Sequence, residues 1–474
     1  MTRPRKAILR ALAASAAVAV LLLGAGWACA EPPAEPAPAY TPPPHAAGVA
    51  SPPTLRALIA EAEANSRELA ALRDQIAAAE ARAIAARALP DPMASAGLTN
   101  IPVGGISLDR DMMSGAELML SRDITTSARR RLRGDIQQAE ADALRELYTT
   151  TRSDLVREVT RAYIDLQFLD EALLIAEQNR LLAADVLAIA ESQYSTGRAM
   201  QQDVFQSQVQ LSRMVDSLIL LRRQRAAAVA RMNRYLYRPL DQALPSLPPL
   251  SASPAPSQPV TPEALQQGNS VLRQSLARLH QADRRLDLAN QWRRPDYSLS
   301  FRYMYRQQVD DDPMTGDDMW GVSLGIGLPW LNRAPHEQEV KAARADRNSI
   351  EQTVQAQLND LSARLEELSI EIARAEEQLS LVETGLLPQA EAALAATRSA
   401  YITGRTDAVN VLTSQLSLYN LQLERSQLLR DHEQNVAEYQ YQLSGALQPQ
   451  PMGASVGTPV VTGAGPAMSS AGGM

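Results

Sequence analysis

Tyr194, Gly197, Arg198 and Asp203 stand within one ten-residue stretch, and the set recurs as Tyr401, Gly404, Arg405 and Asn410. A guanidinium and a carboxylate at such spacing can form charge-assisted hydrogen bonds. Neither copy pairs a nucleophile with a base, so these groups suit holding and recognition rather than covalent catalysis. Asp310, Asp311, Asp312, Asp317 and Asp318 form a second cluster. Carboxylates this dense could ring a pore mouth or gather a divalent ion, although loop acids are more often plainly solvated. Met93, Met112, Met113, Met119, Met304, Met314 and Met319 offer thioethers, which suit Cu(I), but they follow no regular spacing. His45, His280, His336 and His432 are far apart, with no two at ligand spacing. The one cysteine, Cys29, rules out a disulfide framework and a thiolate zinc site. No catalytic residue, cofactor or metal is expected. A net charge of -7 argues against nucleic acid as a partner.

These side chains need a scaffold, and the chain advertises one. Arg3, Arg5, Lys6 and Arg10 precede an apolar run from Ala11 to about Leu23, and Ala28-Cys29-Ala30 fits a small-x-small cleavage site. Residues 1–30 read as a secretory signal peptide. The rival reading makes Cys29 a lipidated first residue, although Gly26-Trp27-Ala28 fits a lipobox poorly. Residues 31–53 form a Pro-rich leader. The rest repeats itself once. Tyr194-Ser-Thr-Gly197-Arg198 matches Tyr401-Ile-Thr-Gly404-Arg405, Pro90-Asp91 matches Pro295-Asp296, and Leu58 matches Leu265. The first repeat covers 54–238 and the second 261–447, with a linker at 239–260 and a disordered tail at 448–474.

Each repeat reads helix, strand pair, long helix, tight turn, helix. A helix from about Thr54 to Ala88 ends at Pro90, and its counterpart runs from about Pro262 to Arg293. Strand pairs follow at 93–122 and 296–328. Tyr297, Leu299, Phe301, Tyr303 and Tyr305 alternate with Ser298, Ser300, Arg302 and Met304, which is the period of a strand. Lengths of about 9 to 11 residues would cross a bilayer at a tilt. Leu155, Val159, Ala162, Leu166, Leu169, Leu173 and Ala176 then step by fours and threes, as do Leu358, Leu361, Leu365, Leu368, Ile372, Ala375 and Leu379. These are coiled-coil seams, and the first helix should run from about Ser127 to Ser195. Pro388 should interrupt the second. Arg129, Arg130, Arg131 and Arg133 fall where strand gives way to helix. Two strand pairs cannot close a membrane barrel, whose open edges lipid does not tolerate. Several chains must pool strands, and three would give twelve. The fold class is mainly α with a membrane β-barrel portion, internally duplicated.

The duplicated Tyr-x-x-Gly turn, with Asp203 or Asn410 six residues beyond the glycine and Val204-Phe205 or Val411-Leu412 after it, resembles the TolC-like outer-membrane efflux family. The resemblance extends from about Thr54 to Leu447. Asp91-Pro92-Met93 with Leu98 to Val103, and Asp318-Met319-Trp320-Gly321-Val322-Ser323 with Leu328-Pro329, look closer to its heavy-metal cation branch. The family implies a trimeric 12-stranded β-barrel continuing into a long α-helical coiled-coil periplasmic tunnel: a passive outer-membrane exit duct of a tripartite system, with a homotrimer in outer-membrane lipid docked on a periplasmic adaptor and an inner-membrane efflux pump. Its cargo would be heavy-metal cations or drugs. It places Gly197, Gly404, Val204, Val411 and Leu412 at the periplasmic tips, in contact with the adaptor. It makes Arg198, Arg405, Asp203, Asn410, Tyr194 and Tyr401 candidates for the tunnel gate. At the level of Asp203 a ring of carboxylates would attract cations, and Asn410 would lower its charge. A secreted structural coiled-coil protein without a barrel is the alternative, and a periplasmic enzyme lacks a visible catalytic cluster.

Overall fold

The computed structural model describes residues 53–101, 103, 108, 111, 113–254, 261–307 and 317–444. The signal peptide, Cys29, most of the leader, Asp310 to Asp312 and the tail lie outside the described residues.

The first repeat opens with α1 (Leu55–Asn65) and α2 (Arg67–Arg87), where the sequence suggested a single helix. The break is Ser66, extended at φ -63°, ψ 113°, whose hydroxyl accepts the Leu69 N–H at 3.3 Å. The second repeat breaks the same way between α5 (Pro262–Gly268) and α6 (Ser270–Asn290). There Asn269 Oδ1 accepts the Leu272 N–H at 3.0 Å. Ser and Asn satisfy free N–H groups at a helix start better than they continue a helix, so the single-helix expectation fails at both sites.

Strands β1 (Met93–Thr99) and β2 (Gly115–Ile124) continue the first repeat, and β3 (Tyr297–Arg306) and β4 (Met319–Ile326) the second. They form one antiparallel sheet in the order β1-β2-β3-β4. β1 has 7 residues and β4 has 8, shorter than the 9 to 11 expected. Asn100 turns β1 away at φ 57°, and its side chain donates to the Met113 carbonyl at 3.0 Å. Pro329 lacks the N–H that would prolong β4. Register pairs Leu118 with Tyr303, Tyr303 with Trp320, Leu120 with Phe301, and Phe301 with Val322. One face therefore carries large apolar side chains, all exposed in the single chain. The other carries Ser121, Ser300 and Ser323, with Ser300 and Ser323 hydroxyls 2.6 Å apart and Arg302 paired to Glu117 at 2.9 Å. The outer edges of β1 and β4 have no strand partner among the described residues.

From β2 the chain enters α3 (Ser127–Ser195), 69 residues long, and returns in α4 (Gln201–Leu236). At 1.5 Å per residue α3 extends roughly 100 Å. From β4 it enters α7 (Arg333–Leu381), a π-helical turn at Val382–Leu386, α8 (Leu387–Ile402) and α9 (Ala408–Ser444). Pro388 sits in the first turn of α8, so the widened turn lies where its missing N–H would break an α ladder. Val159, Leu166, Ala172 and Ala176 of α3 pack with Met214, Leu218 and Met232 of α4. Leu361, Leu365, Leu368 and Ile372 of α7 pack with Val436 and Tyr439 of α9. Among the described residues no helix is long and apolar enough to cross a membrane.

Between the repeats, the described residues 239–254 are fastened rather than loose. Leu244, Leu247 and Leu250 are buried. Asp170 accepts the Leu247 N–H at 2.8 Å, Gln167 donates to the Pro248 carbonyl at 3.0 Å, and Glu433 accepts the Ser253 N–H at 2.6 Å. These bonds satisfy a backbone that has no ladder of its own.

Candidate functional site

The two hairpin tips are built alike, because their sequences specify the same helix stop. Gly197 has φ +74° and Gly404 φ +71°. The N–H of each donates to the tyrosine carbonyl three residues back, at 3.0 Å in both cases. Arg198 N–H reaches the Gln193 carbonyl and Arg405 N–H the Ala400 carbonyl, both at 2.8 Å. This pair of bonds is the Schellman stop, whose left-handed residue favours glycine. Thr196 and Thr403 add to it. Each hydroxyl lies 3.0 to 3.2 Å from two of the last helix carbonyls. No atom lies within 4 Å of where a Cβ would sit on either glycine, so conformation rather than crowding requires it.

The helices that leave the tips start differently. In the first, Asp203 accepts the Met200 N–H at 3.3 Å, so this carboxylate caps α4. In the second, Asn410 donates to the Thr406 hydroxyl at 2.7 Å. Its level is uncharged, but Asp407, immediately before α9, restores a carboxylate to that tip. Sequence reasoning missed Asp407 because it aligns with Met200 and not with Asp203.

The two tyrosines have separate fates. Tyr194 is exposed, whereas Tyr401 is 2% exposed and packs with Val186, Ala190, Leu394 and Val411. The Tyr401 carbonyl accepts the Gln193 side chain at 2.9 Å, so the second tip leans on the end of α3. The Tyr401 hydroxyl is buried with no hydrogen-bond partner. Burial raises its pKa, and the nearby Asp203 and Asp407 carboxylates raise it further. The structure thus brings Tyr401, Asp203 and Asp407 together. Arg198 and Arg405 are exposed, and neither side chain has a partner among the described residues.

Val411, expected to face an adaptor, is fully buried within the chain. Val204 and Leu412 are half-buried. The apolar surface available at this end lies beside them. A groove of about 650 Å³ runs between α4 and α9, lined by Phe205, Val209, Val409, Leu412 and Leu416 among glutamines. At the opposite end of the sheet-and-helix unit, Asp318 accepts the Tyr303 hydroxyl and the Arg306 N–H, and the Asp317 carbonyl accepts from the Arg306 side chain at 3.0 Å. Asp318 is therefore engaged in ending the strands. Among the described residues no group of three potential ligands could hold a metal ion.

A four-stranded sheet with an apolar face, continued by two long helical hairpins and duplicated within one chain, defines the class of outer-membrane channels. The sequence matches the model of the outer membrane efflux protein family over residues 58–236 and 261–444, and the chain belongs to that family. Its proteins are outer-membrane efflux channels, with a helical tunnel in the periplasm. Solved structures share the fold at low identity. CusC, described in the course of folding and transmembrane channel formation, has a TM-score of 0.71 at 17% identity over 82% of this chain and 92% of its own. The outer-membrane channel OprN gives 0.70 at 17%, over 83% and 90%. The outer membrane protein VceC of the bacterial pathogen Vibrio cholerae gives 0.68 at 17%, over 83% and 96%. None of the curated proteins matches the sequence.

Proposed function

We propose that this chain is the passive exit duct of a tripartite efflux system. Three copies pool twelve strands in the outer membrane, and an adaptor and an inner-membrane pump deliver cargo to the periplasmic tips. The observation that carries this reading is the pair of edges on β1 and β4 without a strand partner among the described residues, in a sheet whose apolar face is exposed. Lipid cannot hydrogen-bond such edges, so closure by further copies is the remaining solution. A secreted coiled-coil protein without a barrel is not favoured, since that exposed face would have no cover in water.

The adaptor contact is the α4–α9 groove rather than Val411. The gate is the neighbourhood of Tyr401, Asp203 and Asp407, with Arg198 and Arg405 free to bond outward. Each tip turn contributes one arginine and one carboxylate, Arg198 with Asp203 and Arg405 with Asp407. That balance gives the tips no net charge of their own with which to select cations, so it supports mixed or drug-like cargo over heavy-metal cations.

Replacing Val409 by Asp tests the groove. Export through the reconstituted system should fall at least tenfold while the protein still inserts and keeps its native mass in detergent. Loss of the assembled mass instead would make the groove a seam between copies. Full export would remove it from the adaptor contact. Gly404→Pro should likewise abolish export with insertion intact, and normal export in that variant would count against the tip assignment.

A further inference from the structure

Arginines gather where the strands hand over to the helices. The ten residues on the helical side of each of the four strand ends hold eight arginines and three carboxylates, within a chain that is acidic overall. The antiparallel sheet brings these four segments, 83–92, 125–134, 287–296 and 327–336, to one level. Some of the charge is spent locally: Arg87 pairs with Asp135 at 3.0 Å, Arg129 pairs with Asp296, and Arg333 donates to the Trp330 carbonyl at 3.3 Å. Arg131, Arg133 and Arg294 are exposed and have no partner among the described residues. Arg130 donates one Nη to the Arg87 carbonyl at 3.2 Å, and its Nε is buried without a partner among the described residues. Beside them a cavity of about 450 Å³ opens between α3, α6 and α7. Arg129, Arg133, Arg285, Trp292 and His336 line it, with Glu339 and Asp346 on the α7 wall. Trp292 and His336 stack at 5.5 Å and 8°, and Arg293 lies over the Trp292 ring.

We propose that this collar binds the headgroups of anionic phospholipid in the periplasmic leaflet, with the phosphate held by arginines at the mouth of the α3–α6–α7 cavity. The apolar face of the sheet fixes the depth. Tyr297 and Ile326 are the last lipid-facing residues, and the arginines begin within a few residues of them, where the headgroup layer lies. Guanidinium groups match phosphate geometry, and each one near an anionic surface contributes roughly fivefold in affinity. A tryptophan beside the site suits the same interface. The lumen-facing side of the sheet pairs Arg302 with Glu117, so an excess of positive charge is not general to the barrel.

The inference rests on the membrane placement of the sheet. It is tested on the full protein in nanodiscs of phosphatidylethanolamine with one quarter phosphatidylglycerol, by native mass spectrometry of the lipid retained after detergent release. Retained phosphatidylglycerol should exceed its bulk share several-fold. Arg133→Ser alone should reduce that excess, and Arg131→Ser, Arg133→Ser, Arg285→Ser and Arg294→Ser together should abolish it. Arg364→Ser, far along α7, should leave it unchanged. Bulk-ratio retention by the wild type, or equal loss in Arg364→Ser, would overturn the proposal. So would displacement by inorganic phosphate alone, which would make the collar a general anion site. A wild-type chain that never enters nanodiscs would fail the membrane placement instead.

Discussion

At the scale of residues, the two hairpin tips depend on backbone conformation. Gly197 and Gly404 occupy the left-handed region with space around them, so an alanine there meets backbone strain alone. Gly404→Ala should lower stability by about 1 kcal/mol, read from the thermal midpoint, with assembly intact. Tyr237 presents the reverse case: it ends α4 at φ 57° with a side chain that is half exposed, so Tyr237→Gly should stabilise by a similar amount. His432 is the residue with pH in its design. It is fully buried on α9, with Nδ1 3.0 Å from Glu433 on the same helix and Nε2 3.6 Å from Glu376 on α7. The Glu433 hydrogen bond raises the His432 pKa, opposed by burial and assisted by the charges of Glu433 and Glu376. A folded-state value above the ordinary 6.5 means that the clasp stabilises fully at lower pH and is lost as pH climbs through the raised value. The wild-type midpoint should therefore fall as pH rises from about 6 to 9, while His432→Gln should be flatter and lower at the acid end. Parallel curves for the two would remove the charge from His432.

At the scale of elements, the second repeat is a copy with one deliberate difference. α3 runs unbroken, whereas its counterpart is split by the π-helical turn before Pro388. Arg425 of α9 straps that turn down, through Glu383 at 2.8 Å and Glu171 of α3 at 3.4 Å. A π turn trades ladder quality for an extra residue. Amides across 382–387 should exchange faster than those across 175–180 of α3, and Arg425→Ala should widen the gap; equal protection would argue that the turn is as firm as the α ladder. Pro388 made this interruption visible in the sequence, because a missing N–H is a local fact. The heptad seams were visible for the same reason, since Leu361, Leu365 and Leu368 carry their period in their own spacing. Ser66 and Asn269 were not, because a polar residue inside an apolar stripe reads as helix surface until its side chain is seen on the N–H three residues ahead. The burial of Val411 was hidden too: it follows from how α9 leans on α3, a contact between residues more than two hundred positions apart. Tyr194 and Tyr401 look equivalent in the chain, and only that lean separates them.

At the scale of the whole molecule, the decisive feature is an unfinished sheet. Each strand pair presents backbone groups on one outer edge, and the bilayer core offers no water to meet them. The apolar face that would lie against lipid, with Leu118, Phe301, Trp320 and Val322 exposed, has no helix among the described residues to cover it. A single copy in membrane or in water therefore leaves either edges or face unsatisfied, and closure by identical copies removes both problems at once. Eight strands would close from two copies, but the long helices continue from the strand ends rather than cover the sheet, so a ring must also leave a passage between helices. Three copies give twelve strands and a lumen lined by the Ser121–Ser300–Ser323 side of the sheet. The expected native mass in detergent is three chains, held together until the detergent is exchanged for one that strips strands. Weakening the lumen should not disturb that closure: Glu117→Gln removes one half of the Arg302 pair inside the pore and should shift ion selectivity toward anions with the mass unchanged. A stable two-chain mass would make the barrel eight-stranded and leave no room for the helical passage, and a one-chain mass extracted without detergent would send the sheet back to water.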